Sequence, residues 1–329
     1  MRPTLVLATV VLVAFSACGE RAPSPRQDVE LERPVDAART HRDFAAYYHR
    51  GLAELNRYAL SQSRYGEIHE GEAVLIFVIE EVHQTTQVRY EGGDREGVIE
   101  TLKSIAHRSF STGIYPYSVS TAIYDPVDPA RPSPLKAVGS VIEWSGSTFM
   151  QWNRDAAGFR VVAHSYFQGE SDREAELPDA ILEDAFFTQI RIDPRALPTG
   201  ARMVVPGLHH LRLEHLPLQG YAARLERDRA RHSSAEGELE RYTITYPEIG
   251  RTLRIYFGRT FPHEIYGFEE ELAEGGEVLR TEAIRTNVGL DAYWTHNRRE
   301  HAPYRAALGL TGGQQGGPGS AKLRRIPAN

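Results

Sequence analysis

Hydrophobic and polar positions alternate with a period of two along most of this chain, and that period predicts a β protein. Ala73-Val74-Leu75-Ile76-Phe77-Val78-Ile79 is a continuous apolar run between Gly71 and Glu80, rich in β-branched residues. It predicts a central strand buried on both faces. Leu55–Arg64 precedes it, and the polar, glycine-containing stretch from Tyr65 to Glu72 supplies turn chemistry, so the two segments are expected to pair as neighbours. Further strands are predicted at Val98–Ala106, Ile114–Tyr124, Val138–Trp144, Thr148–Trp152 and Phe159–Phe167. The turns fall at Thr112-Gly113, Asp125-Pro126, Ser145-Gly146-Ser147 and Ala157-Gly158. These connections are too short for crossovers between parallel strands, so the order is that of an antiparallel meander.

One helical period interrupts the strands. Leu182, Ala185, Phe186, Gln189 and Ile190 recur at helical spacing after Pro178-Asp179 and stop at Asp193-Pro194, which predicts a helix over 179–191 with Asp179 as its N-cap. Strands are predicted again at Gly207–Leu213, Tyr221–Arg227, Glu240–Tyr246, Thr252–Phe257, Glu264–Leu272 and Val278–Thr286. Short helices are expected near 37–51, with Phe44, Tyr48 and Leu52 as one stripe, and near 298–308. The fold class that follows is mainly β (α+β): a large twisted antiparallel sheet forming an open or half-closed barrel around one or two helices.

The N-terminus reads differently. Arg2 is followed by the apolar stretch Leu5–Phe15 and then Ser16-Ala17-Cys18-Gly19, with Cys18 the single cysteine of the chain. A positive start, an apolar run shorter than a spanning helix and small residues before a cysteine predict an export signal over residues 1–17 and lipid attachment at Cys18. Gly19, where an aspartate would favour inner-membrane retention, points to the outer membrane facing the periplasm. Residues 18–40 hold Pro23, Pro25 and Pro34 among dense charge and predict a tether; 311–329 predict a disordered tail. A single domain is expected over 41–310.

Charge and composition narrow the function. The 329 residues carry a formal charge of −6, which disfavours nucleic-acid binding, since phosphate neutralisation needs clustered Lys and Arg. With its one thiol assigned to lipid, the folded part has no disulfide and no thiolate metal site. His209, His210 and His215, placed on a strand, stretch over about 20 Å, too far for one ion. Glu269-Glu270-Glu271 puts Glu269 and Glu271 on one face roughly 7 Å apart, which suits a solvated edge better than a pair of catalytic acids. No Gly-x-Ser-x-Gly elbow and no phosphate loop occur. The reading therefore names no catalytic residue, metal or cofactor. The strongest binding candidates are aromatic. Tyr115 and Tyr117 alternate on one strand face, and Trp144 and Trp152 flank the next turn. Lining a concave pocket, they would receive a lipid, an acyl chain or another amphipathic ligand.

Four ordered strings carry a resemblance: Arg64-Tyr65-Gly66-Glu67 with Gly71–Val78, Thr112–Ser118, Glu143-Trp144 with Phe149, and Tyr166-Phe167-Gln168-Gly169-Glu170. Together they resemble an uncharacterised family of bacterial lipoproteins whose members carry the label septum formation inhibitor Maf. The resemblance covers most of residues 50–300 and implies an envelope protein of unknown activity. The nucleotide pyrophosphatases properly called Maf have a Ser-x-Ser-Pro-Arg-Arg loop. Leu60-Ser61-Gln62-Ser63-Arg64 lacks its proline and lies in a strand pattern, so that activity is not expected. Where the family holds Cys and His this chain has Ser145 and Ser147, which removes a thiol or metal role at that turn. The strand–helix–strand layout is also similar to periplasmic lipoprotein-carrier folds. Three functions are carried forward: binding of a hydrophobic ligand, a structural or partner-binding role, and hydrolysis at a site without a sequence signature.

Overall fold

The computed structural model describes residues 37–310 apart from 179 and 275–276, together with the backbone of 324–326. Cys18, the export signal, most of the tether and the Asp179 cap lie outside the described residues. Helix α1 (Ala37–Tyr48) leads into β1 (Ala53–Arg64), β2 (Glu67–His83), β3 (Val98–Thr112), β4 (Tyr115–Pro126), β5 (Lys136–Glu143), β6 (Gly146–Arg154), β7 (Gly158–Ser165) and β8 (Arg173–Pro178). The two-residue strand β9 (Ile181–Leu182), a 3₁₀ turn (Glu183–Ala185) and α2 (Phe186–Ile192) follow, then β10 (Gly200–Val205) and α3 (Leu208–Leu213). The chain returns through β11 (Tyr221–Ala230), β12 (Leu239–Tyr246), β13 (Arg251–Phe257), β14 (Ile265–Glu274), β15 (Glu277–Asp291), α4 (Ala302–Ala307) and β16 (Arg324–Ile326).

These strands form one sheet in the order β8-β7-β6-β5-β4-β3-β2-β1-β15-β14-β13-β12-β11-β10-β9, with β16 beside β15. All neighbours are antiparallel except β9 with β10 and β16 with β15. The sheet is not closed: its ends, β8 and β9, are not paired to each other. Tight turns explain the meander. Tyr65 and Gly66 both have positive φ, 55° and 76°, the condition for a two-residue hairpin whose twist matches its strands, and Arg64 accordingly faces Glu67.

One face of the sheet is buried and wraps the helices, so the expected open sheet around helices is what forms. Tyr58, Leu60, Ala73, Leu75, Phe77, Leu102, Ile123, Trp152 and Phe159 from the first half meet Tyr242, Ile244, Leu253 and Phe257 from the second across Phe186 and Ile190 of α2. Phe186 stands edge-on to Tyr242 at 5.0 Å and Phe187 to Phe268 at 5.8 Å. Helix α3 reaches the sheet at Gly139, where a Cβ would lie 3.0 Å from that of Leu208. Buried Arg191 of α2 donates to Tyr48 Oη at 2.8 Å and pairs with Glu54, which also accepts from Tyr47 and Asn56. That network ties α1 and α2 to β1.

Several expectations are corrected. Residues 207–213, expected as a strand, contain helix α3. The expected helix over 179–191 begins only at Glu183, as the 3₁₀ turn followed by α2. The run Ala73–Ile79 alternates buried with half-buried residues; its outer face is only partly covered, Ile76 and Val78 packing on Tyr293, Leu308 and Leu310. Glu269–Glu271 lie on β14, between β13 and β15, and not at an edge. Arg324–Ile326, expected in the tail, pair with Asn287–Gly289, just past Ile284, the last β15 partner of β14. Among the described residues no helix is long and apolar enough to cross a membrane.

Candidate functional site

Antiparallel order forces the β1–β2, β3–β4, β5–β6 and β7–β8 turns to the same end of the sheet. With strands about 4.8 Å apart, those turns are spread over roughly 30 Å. Each presents large apolar side chains to solvent. Tyr65 is 57 % exposed, Ile114 84 %, Trp144 69 % and Tyr166 71 %, and Ile68, Ile142, Phe149 and Phe167 stand exposed beside them. Turn positions ordinarily hold polar or small residues; these side chains contribute nothing to the core.

Direct contacts join the turns into one rim. Tyr65 Oη and Tyr117 Oη are 2.7 Å apart, the Tyr117 ring stacks on Phe110 at 4.9 Å, and Tyr115 is 6.3 Å from Trp144. Tyr166 covers Gly146, where a Cβ would lie 2.7 Å from its ring. The underside is pinned to α3: Arg64 donates to Leu213 O at 2.7 Å, and Glu170 pairs with Arg212 and with His215 Nδ1, the latter at 2.6 Å. Burial and then the Tyr65 and Tyr115 hydroxyls hold the Tyr117 phenol above its ordinary range, so it stays neutral.

Of the four aromatic candidates, the structure brings three together. Tyr115, Tyr117 and Trp144 lie at the rim. Trp152 is completely buried in the main core, with its Nε1–H directed at Met150 Sδ at 3.2 Å and Phe159 edge-on at 5.8 Å. Tyr65, Ile114 and Tyr166 complete the rim and were missed, because turn residues carry no periodic signal. Their signal was an unusual residue type at turn positions on one end of a meander.

A second cluster lies inside the sheet. Arg251 donates to Glu183 at 2.5 and 2.8 Å and to Glu270 at 2.8 Å, and Tyr246 Oη donates to Glu183 at 2.7 Å. His209 and His210, expected on a strand, lie on α3, are buried and approach Glu270 at 3.5 and 3.7 Å. Glu183 and Asp184 accept the Gly207 and Leu208 amides at 3.1 and 2.7 Å, filling the N-terminus of α3. Beside them lies a cavity of about 40 Å³ lined by Arg108, Glu183, Asp184 and His209. At roughly 10–15 Å³ each, it has room for about three waters. Burial, then the positive charge of Arg108, pushes His209 down to about 4, so its imidazole is neutral at pH 7. Among the described residues no hydroxyl group hydrogen-bonds His209 or His210, so this cluster pairs no hydroxyl nucleophile with an imidazole base.

Burial, followed by the charge of Glu183, raises Asp184 to about 7 from 3.8. The folded state therefore binds this proton more tightly than the unfolded chain, and stability from this group is full below pH 4 and lost as pH rises toward 7. Asp184→Asn, which keeps an acceptor for Leu208, is expected to leave stability unchanged at pH 4 and increase it at pH 8, read from urea unfolding at both values.

No family model, curated protein or solved structure matches this chain.

Proposed function

We propose that this chain is a lipid-anchored protein of the bacterial cell envelope, at the outer membrane facing the periplasm, that binds a protein partner through the aromatic rim. The observation that carries this reading is the exposure of Tyr65, Ile114, Trp144 and Tyr166 on four same-end turns. Contiguous exposed apolar surface marks an interaction site, and Tyr and Trp supply a disproportionate share of interface energy. The contacts to α3 hold the rim in shape before a partner arrives, which lowers the entropy lost on binding.

A ligand enclosed by the sheet has less support. The cavity beside α2 and α3 measures about 40 Å³, against roughly 300–1,000 Å³ for small-molecule pockets. An anionic bilayer is also disfavoured, because Glu67, Glu143, Glu170 and Asp172 around the rim outnumber Arg64 and Arg173. The lipid anchor rests on the Phe15–Gly19 pattern.

The test places a photoreactive residue at 144 or 166 of the full-length protein in its host, with 156, in the β6–β7 turn at the other end, as control. A discrete protein adduct is expected from 144 and 166 and not from 156. Changing Tyr65, Ile114 and the remaining rim aromatic to serine is expected to reduce it at least about tenfold, while altering stability by less than about 0.5 kcal/mol per site. Adducts to lipid alone, or equal adducts from 156, overturn the reading. Cys18→Ser tests the anchor separately: palmitate labelling and membrane association are both expected to disappear.

A further inference from the structure

We propose that His232, Glu269 and Glu282 form a binding site for a divalent transition-metal ion of zinc type on the outer face of the second half of the sheet. Glu269 of β14 and Glu282 of β15 are direct cross-strand partners. Like charges directly opposite one another destabilise a ladder, so this pair needs a cation. His232, from the loop between β11 and β12, lies over them, and one ligand atom from each of the three residues falls within 4.8 Å of the others.

The histidine is built in rather than draped on the surface. Its ring stacks on Tyr256 at 4.1 Å and occupies a notch at Gly267, where a Cβ would come within 2.7 Å of His232 Cε1. The residue is only 9 % exposed, and its Nε2 is buried without a hydrogen bond, 3.5 Å from Glu269 Oε1. On the other side of the ring, Nδ1 lies 2.6 Å from Ser234 Oγ. With the proton on Nδ1 and Ser234 Oγ accepting it, the Nε2 lone pair points at the carboxylates, the arrangement that orients metal-binding histidines. Without metal the other tautomer serves: the Ser234 amide, 3.3 Å away, donates to Nδ1, and Nε2–H faces Glu269.

Neighbouring cations do not fill the place. Arg254 and Arg280 lie 3.7 and 3.9 Å from Glu269, but each is closer to Glu271, at 2.9 and 2.7 Å. One imidazole and two carboxylates suit zinc, whose bonds of about 2.0–2.2 Å put tetrahedral ligand atoms roughly 3.4 Å apart. Reaching that spacing closes the widest gap by up to about 1.4 Å and leaves a fourth position for water. An open hollow lined by Arg231, His232, Ser233 and Glu236 gives access from solvent.

The experiment uses full-length protein stripped with a chelator and titrated with Co²⁺, followed by Zn²⁺ competition. One equivalent of Co²⁺ is expected to develop the intense visible absorption of a four-coordinate site, displaced by Zn²⁺ and not by Mg²⁺. His232→Ala and Glu282→Gln are each expected to weaken this binding about 10–100-fold. Glu282→Gln keeps the side-chain shape, and its far-ultraviolet circular dichroism confirms the fold. Absorption typical of hexahydrated Co²⁺ only, or equal affinity in wild type and Glu282→Gln, overturns the site. Neither result bears on the rim, which is on a different part of the sheet.

Discussion

Replacing Arg251 with methionine is expected to lower the free energy of unfolding by about 3–5 kcal/mol at pH 8, the usual consequence of removing one partner of a buried ionic group. Arg251 is fully buried and is the cation between Glu183 and Glu270. Burial alone would raise Glu270, but the Arg251 charge, aided by His209 and His210, holds it well below the ordinary carboxylate range. Glu183 is lowered for the same reason. Their contribution to stability is therefore present above about pH 4.5 and lost as pH falls through the depressed folded-state values. In the variant the two carboxylates remain buried without their paired cation and are driven to take up protons. The deficit is thus greatest at pH 8 and shrinks toward pH 4. Urea unfolding at several pH values measures it, and a deficit independent of pH would show that the loss comes from packing alone.

The second large effect separates two residues of one type. Trp152→Ala is expected to cost about 3–5 kcal/mol, since it empties a fully enclosed site next to Phe159 and Met150. Trp144→Ala is expected to change stability by less than about 0.5 kcal/mol, because its ring meets solvent over most of its surface. The contrast is measured by thermal or urea unfolding of the two variants side by side. A large loss in Trp144→Ala would mean that the rim is structural, and its role in binding would need another explanation.

Both tryptophans look alike in the chain, each beside a strand and near the same turn. Whether such a residue is inside depends on strand parity and on what lies above the sheet. Trp152 shares the inward face with Met150. Trp144 occupies the turn after β5, where no neighbouring strand covers it. The rim was thus half legible: Tyr115, Tyr117 and Trp144 stood out as aromatics, while their neighbours across the end of the sheet came from segments up to 100 residues apart.

Local chemistry settled the hairpins within each half of the sheet, while the β1–β15 pairing that joins the halves was set by tertiary contact. Period-two alternation, turns such as Tyr65-Gly66 and short connections all act within a dozen residues, and they are sufficient to specify an antiparallel meander. Two further features were decided only by the tertiary structure. Leu208–Leu213, expected within a strand, form a six-residue helix, too short to persist on intrinsic propensity. Its N-terminal amides are accepted by Glu183 and Asp184, 24 residues earlier in the chain. The run Glu269–Glu271 reads as a solvated edge until Arg251, Arg254, Arg280 and His232 arrive from three other segments. Hydrophobic pattern reports which face a residue prefers. The partner that lets a charge stay buried depends on distances that folding alone creates.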